Sequence, residues 1–147
     1  MRKITLTIGV KSSDVEDVTS EKRIDISEIL SLYPDVLANP SECRPIAILR
    51  YLKDQQGDLL IGSGIDKVTD YTILRRELHR RGEDISKVIV KFPAITVKSY
   101  KRSYEQHARW LDYSPEAAES IAREYLEQLH LLVETIKQDG IEVEVIN

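Results

Sequence analysis

Four arginines, Arg75, Arg76, Arg80 and Arg81, form two adjacent pairs five residues apart. A helix advances about 100° per residue, which puts Arg76 and Arg80 on neighbouring turns with Arg75 and Arg81 to either side, one broad basic face. Guanidinium groups suit bidentate contact with phosphate, so a nucleotide, RNA or DNA is the chemistry such a face would serve. The same charges also read as a solvated helix face, or as partners for an acidic helix carrying Glu116, Glu119, Glu124 and Glu127.

Just upstream, Gly62-Ser63-Gly64 separates a short apolar run, Asp58 to Ile61, from that basic helix. Small residues let backbone amides approach a phosphate, and the positive end of the following helix would favour it. The unit lacks the third glycine of a dinucleotide fingerprint and the Gly-Lys-Ser/Thr of a triphosphate loop. Asp66 would cap the helix but repel an anion, so an ordinary tight turn is the competing reading. Downstream, Lys98, Lys101, Arg102 and Arg109 interleave with Tyr100, Tyr104, Trp110 and Tyr113. Single-strand binders stack bases on aromatics while cations hold the backbone, although aromatics also dominate cores. The candidate ligand-binding set is therefore Gly62, Ser63, Gly64, Arg75, Arg76, Arg80, Arg81, Lys101, Arg102 and Arg109.

Catalytic signatures are thin. The histidines are His79, His107 and His130; His79 or His107, with Arg80, Arg109 and Tyr104, has the residue types of a metal-independent ribonuclease, but nothing in the spacing requires it. There is no His-x-x-x-His, no cysteine pair and no Gly-x-Ser-x-Gly, so no metal, cofactor or catalytic residue is assigned.

Charge is segregated along the chain. Residues 67–110 hold eleven Lys/Arg against five Asp/Glu, a balance of +6, whereas residues 1–66 stand at −3 and residues 111–147 at −7, summing to −4. Such an imbalance bears on partners and steering rather than on fold. The single cysteine, Cys43, excludes an internal disulfide and fits a reducing compartment, hence a cytoplasmic location. No apolar run approaches the roughly 18 residues of a membrane span.

The elements that must position these residues follow from periodicity. Ile4 to Val10 alternates as a strand with one face buried. Lys11 to Glu21 is polar and predicts a mobile surface loop. A short helix follows Asp25 or Ser27 and stops before Pro34, Asn39-Pro40-Ser41 turns, and a second helix runs from Ser41 or Arg44 to Gln56. Asp58 to Ile61 is a buried strand. The third helix spans Lys67 to Arg81, ended by Gly82, with Val68, Tyr71, Leu74 and Leu78 inward. Lys87 to Phe92 is a strand that bends or turns at Pro93. A helix is expected over Ser99 to Asp112, and a long one starts at Ser114-Pro115-Glu116 with Ser114 as cap. Its apolar stripe is Ala118, Ile121, Tyr125, Leu129, Leu132, Val133 and Ile136, and Gly140 closes it before a last strand, Ile141 to Ile146.

Together these give a single α/β domain over residues 1–147. It has a four- or five-stranded mixed sheet with packed helices, and a long C-terminal helix followed by a final strand. The functional expectation is a non-enzymatic cytosolic binding or regulatory module that presents residues 67–109 to an anionic ligand, most plausibly a nucleotide or nucleic acid. The alternatives are a protein-interaction subunit that uses its segregated charge against an acidic partner or a second copy, and a small metal-independent ribonuclease.

Overall fold

The computed structural model describes residues 2–16, 22–38, 42–92 and 115–147. The element order is β1 (Ile4–Ile8), β2 (Lys22–Asp25), α1 (Ile26–Leu32), α2 (Cys43–Asp54), β3 (Leu59–Gly62), α3 (Val68–Arg80), β4 (Lys87–Val90), α4 (Pro115–Gln138) and β5 (Glu142–Val145). Short 3-10 turns at Ser12–Asp14 and Pro34–Ala38 complete it. The five strands lie in the order β2-β3-β1-β4-β5. Every pairing is parallel, which narrows the expected mixed sheet to an all-parallel one.

That order explains where the helices go. The steps β2 to β3, β3 across β1 to β4, and β4 to β5 all move the same way, so right-handed crossovers put their helices on one face. The core agrees, because Ile4, Leu6 and Ile8 of β1 share one apolar cluster with Ile29, Leu52, Leu74 and Leu132 from the four helices. The step from β1 to β2 moves the opposite way, and its residues Val10 and Val15 pack on the other face with Leu60 and Ile89. As the central strand, β1 is buried on both faces, its threonines included. Thr7 tolerates this because its hydroxyl donates to the Val10 carbonyl at 2.6 Å and accepts the Ser63 N–H at 2.8 Å.

Both long helices stop as their glycines predict. After α3, the Gly82 N–H bonds to the His79 carbonyl and the Glu83 N–H to that of Leu78; after α4, Gly140 bonds to Lys137 and Ile141 to Ile136. Each is a Schellman closure around a glycine with positive φ. Three expectations are corrected. The described part of the loop after β1, residues 11–16, is anchored rather than mobile, since Ser12 is buried and bonded to Asp25. A strand, β2, sits where Lys22, Arg23 and Asp25 gave no apolar alternation. In α4 the stripe holds from Leu129 to Ile136, but Ile121 and Tyr125 are 47% and 41% exposed and Ala122 is buried instead. The expected turn at Asn39-Pro40-Ser41, the Ser41 and Ser114 caps, the bend at Pro93 and the helix over Ser99 to Asp112 lie outside the described residues.

Candidate ligand-binding edge

In an open parallel sheet, ligands bind outside the carboxyl ends of the strands where neighbouring strands send their connections in opposite directions. Here β1 sends its chain toward β2 and β4 sends its chain toward β5, so that point lies between the ends of β1 and β4. Gly9 and Lys91 meet there. Gly9 has φ +75°, and a Cβ on it would stand 2.2 Å from the Lys91 carbonyl oxygen. The Lys91 N–H donates to the Ile8 carbonyl at 2.9 Å, which ties the two strand ends together. Helices that return to start parallel strands run against them, so the first turns of α2 and α3 open at this same edge.

The loops here are held by their own polar groups. Asp25 accepts the Ser12 N–H at 2.8 Å and the Ser12 hydroxyl at 3.1 Å. Its carboxylate is thereby committed, and although Asp25 is the N-cap of α1 it makes no side-chain cap. Arg23 donates to the carbonyls of Ser12 at 2.9 Å and Val15 at 2.6 Å. Gly62 is required for approach rather than for its φ, because a Cβ would fall 2.0 Å from Asp25 Oδ1 and 2.5 Å from Ser12 N.

Of the glycine loop, Ser63 rather than either glycine takes the left-handed conformation, with φ 52°. The Ser63 N–H donates to Thr7 Oγ1 at 2.8 Å and the Gly64 N–H to the Thr7 carbonyl at 3.1 Å. Those two amides dock the loop onto β1 and are spent there. Asp66 does not cap α3 either; Lys67 holds the cap position without a side-chain cap, and Asp66 pairs with Arg44 at 3.4 Å.

The four arginines lie toward the other end of α3 and do not share one face. Arg75 bonds to Asp84 at 3.2 and 3.3 Å and reaches Asp139, at the end of α4, at 3.2 Å; the Tyr71 hydroxyl donates to the same Asp139. Arg81 points the opposite way and donates to the Leu49 carbonyl of α2 at 3.0 Å. Arg76 and Arg80 remain exposed and share Glu77, at 3.4 and 3.0 Å. Nearby, Arg2 grips Glu83 with two bonds, 2.6 and 3.1 Å, and donates to the Gln55 carbonyl at 2.6 Å. This amino edge of the sheet is therefore stapled by arginine. The acidic partner of Arg75 on α4 is Asp139, not one of the four glutamates singled out in the sequence.

Burial, reinforced by the bond to Asp139, pushes the Tyr71 hydroxyl well above its ordinary value. Burial also works to raise the Asp84 carboxyl, but hydrogen bonds from Arg75, His79 and the Ile85 N–H outweigh it and hold Asp84 below the usual carboxylate value. A depressed folded-state pKa contributes stability above the unfolded value, about 3.9, and that contribution is lost as pH falls through the folded value. Asp84→Asn is therefore expected to lower the urea midpoint at neutral pH and to flatten its decline below about pH 4. An acid limb as steep as that of the parent would show that the Asp84 charge is not stabilised by this network.

His79 sits 3.1 Å from Asp84 in this staple, at the opposite end of α3 from the carboxyl edge. His130 stacks on Phe92, ring centroids 4.3 Å apart. Lys101, Arg102 and Arg109, together with His107 and the aromatics from Tyr100 to Tyr113, lie outside the described residues. Sequence reasoning missed Asp70, in the first turn of α3, which is only 4% exposed; an acid three residues past a helix cap looks like an ordinary first-turn acid until its burial is known. Among the described residues, no three His, Cys, Asp or Glu are placed to hold one metal ion, and no helix is long and apolar enough to cross a membrane. No protein-family model and no curated protein matches this chain.

Proposed function

We propose that this protein is a binding or regulatory module for an anionic ligand, a nucleotide or nucleic acid, which it receives at the carboxyl edge of its sheet. The observation that supports this reading is the coincidence of the switch point between β1 and β4 with unpaired cations. Lys11, Lys67 and Lys91 are exposed and form no ion pair among the described residues. Along α3, Arg76 and Arg80 lie roughly 14 and 20 Å from Lys67 at about 1.5 Å per residue, so a small ligand held at the helix start does not span to both.

The test is binding of labelled single- and double-stranded RNA and DNA and of common nucleotides, at low and physiological salt. Lys11→Ala/Lys91→Ala is expected to weaken binding about tenfold or more, while Arg76→Ala/Arg80→Ala changes small-nucleotide binding by less than about twofold. Arg75 and Arg81 are left intact because they hold elements together. Binding that depends on Arg76 and Arg80 instead would move the site to α3. Binding to none of these ligands would reject the reading in favour of protein docking.

A further inference from the structure

Asp70 is an acid that the fold has no evident use for. It is 4% exposed, and it has no hydrogen bond or ion pair among the described residues. A buried carboxyl without a partner costs stability, so its retention calls for a reason. No described side-chain oxygen is both sealed from solvent and unpartnered, so the Asp70 carboxyl keeps a narrow opening.

Its place in the fold says where that opening faces, because Asp70 stands in the first turn of α3 and a helical side chain leans back toward the helix N-terminus. Burial first, and then the Asp66 charge, raises the Asp70 carboxyl, while Lys67 and Arg44 oppose them. Asp66 and Lys67 lead into α3, and Arg44 lies in the first turn of α2. Arg44 and Asp66 stand 3.4 Å apart, which brings the start of α2 beside that of α3, so the carboxyl lies at the junction of two helix starts at the carboxyl edge. The cap position of α3 holds Lys67, whose side chain cannot accept a hydrogen bond, so the first-turn amides are left without a side-chain cap. Amides and a lysine for an anion stand beside a recessed carboxyl for a hydroxyl.

We infer that this junction binds a mononucleotide, with its phosphate on Lys67 and the first-turn amides of α3 and a ribose hydroxyl bonded to the Asp70 carboxyl. The assignment rests on the anion-binding reading above and gives it a residue and a ligand class. The hydroxyl supplies the partner that Asp70 lacks among the described residues, and Arg44 stays paired with Asp66 at the rim.

The experiment is calorimetric titration of the intact protein with the four ribonucleoside 5′-monophosphates, with the 2′,3′-dideoxy form of the tightest of them, and with inorganic phosphate. The parent is expected to prefer the ribonucleotide over its dideoxy form by about tenfold, the scale of one hydrogen bond to a charged group. Asp70→Asn is expected to lose most of that preference while binding the dideoxy form within about twofold of the parent, with an unfolding midpoint as high as or higher than the parent's, since a buried unpaired acid is gone. Asp70→Ser runs beside it, so that one poorly folded variant does not decide the matter.

A parent that binds nucleotides without any hydroxyl preference, or variants that keep the full preference, would overturn the role of Asp70 and leave anion binding standing. A parent that binds neither nucleotides nor phosphate would overturn both.

Discussion

Gly9→Ala is expected to destabilise the protein by about 2–5 kcal/mol, from a left-handed backbone cost of about 1–2 and an overpacking cost of about 1–3. Gly9 has φ +75°, and its added Cβ would stand 2.2 Å from the Lys91 carbonyl oxygen, a backbone atom that no rotamer change can move. Relief requires β1 and β4 to part where the Lys91 N–H bonds to the Ile8 carbonyl. Gly82 and Gly140 supply the control, because their φ values of +73° and +80° match but nothing lies within 4 Å of an added Cβ. Gly82→Ala should therefore show only the conformational part, about 1–2 kcal/mol. Denaturant midpoints for the two variants isolate the clash by difference. Equal losses would mean that the strand ends at the switch point are not in the close contact described. The same substitution should also weaken nucleotide binding, since it displaces Lys91.

What the sequence disclosed depended on whether a residue's role was local. The strands β1 and β4, and the glycine closures after α3 and α4, are decided within a few residues and appeared where expected, although β1 is buried on both faces rather than the expected one. The second strand was hidden because Lys22, Arg23 and Asp25 carry no apolar period; β2 is an edge strand with one neighbour, and Arg23 and Asp25 are there to hold the loop after β1. Parallel pairing was equally hidden, because it follows from which strand lies beside which.

The arginines show the limit most clearly. Their spacing correctly put them on one helix, yet their roles are set by what stands on either side of it. Asp139 and Asp84 draw Arg75 one way and the Leu49 carbonyl draws Arg81 the other. Arg76, Arg80 and Arg81 keep the exposure that the helical wheel assigned to all four, but Arg81 spends its guanidinium on the Leu49 carbonyl and Arg75 is partly buried. Asp70 is the reverse case: its type and position are ordinary for a first turn, and only its burial between α3 and its neighbours makes it a candidate for binding.

The packed stripe of α4, which runs through Ala122, Leu129, Leu132, Val133 and Ile136 and leaves Ile121 and Tyr125 exposed, leads to the second large effect. At about 1.5 Å per residue its 24 residues span roughly 36 Å, whereas the four residues of β4 span about 13 Å. The C-terminal end of α4 is level with the amino edge of the sheet, because Gly140 turns directly into β5 and Glu142 pairs with Lys87 at the start of β4. The excess length must therefore extend past the carboxyl edge, which is where Ile121 and Tyr125 are found exposed. Leu129 lies on the packed stripe, fully buried in the cluster that contains Leu132, Ile136 and Leu74. Leu129→Ala removes apolar contact and leaves a cavity, so it should cost about 2–5 kcal/mol, while Ile121→Ala should change stability by less than about 1 kcal/mol. Chemical unfolding of the two variants decides the point. Comparable losses would mean that the helix packs along its whole length, so that its first turns do not project beyond the carboxyl edge of the sheet.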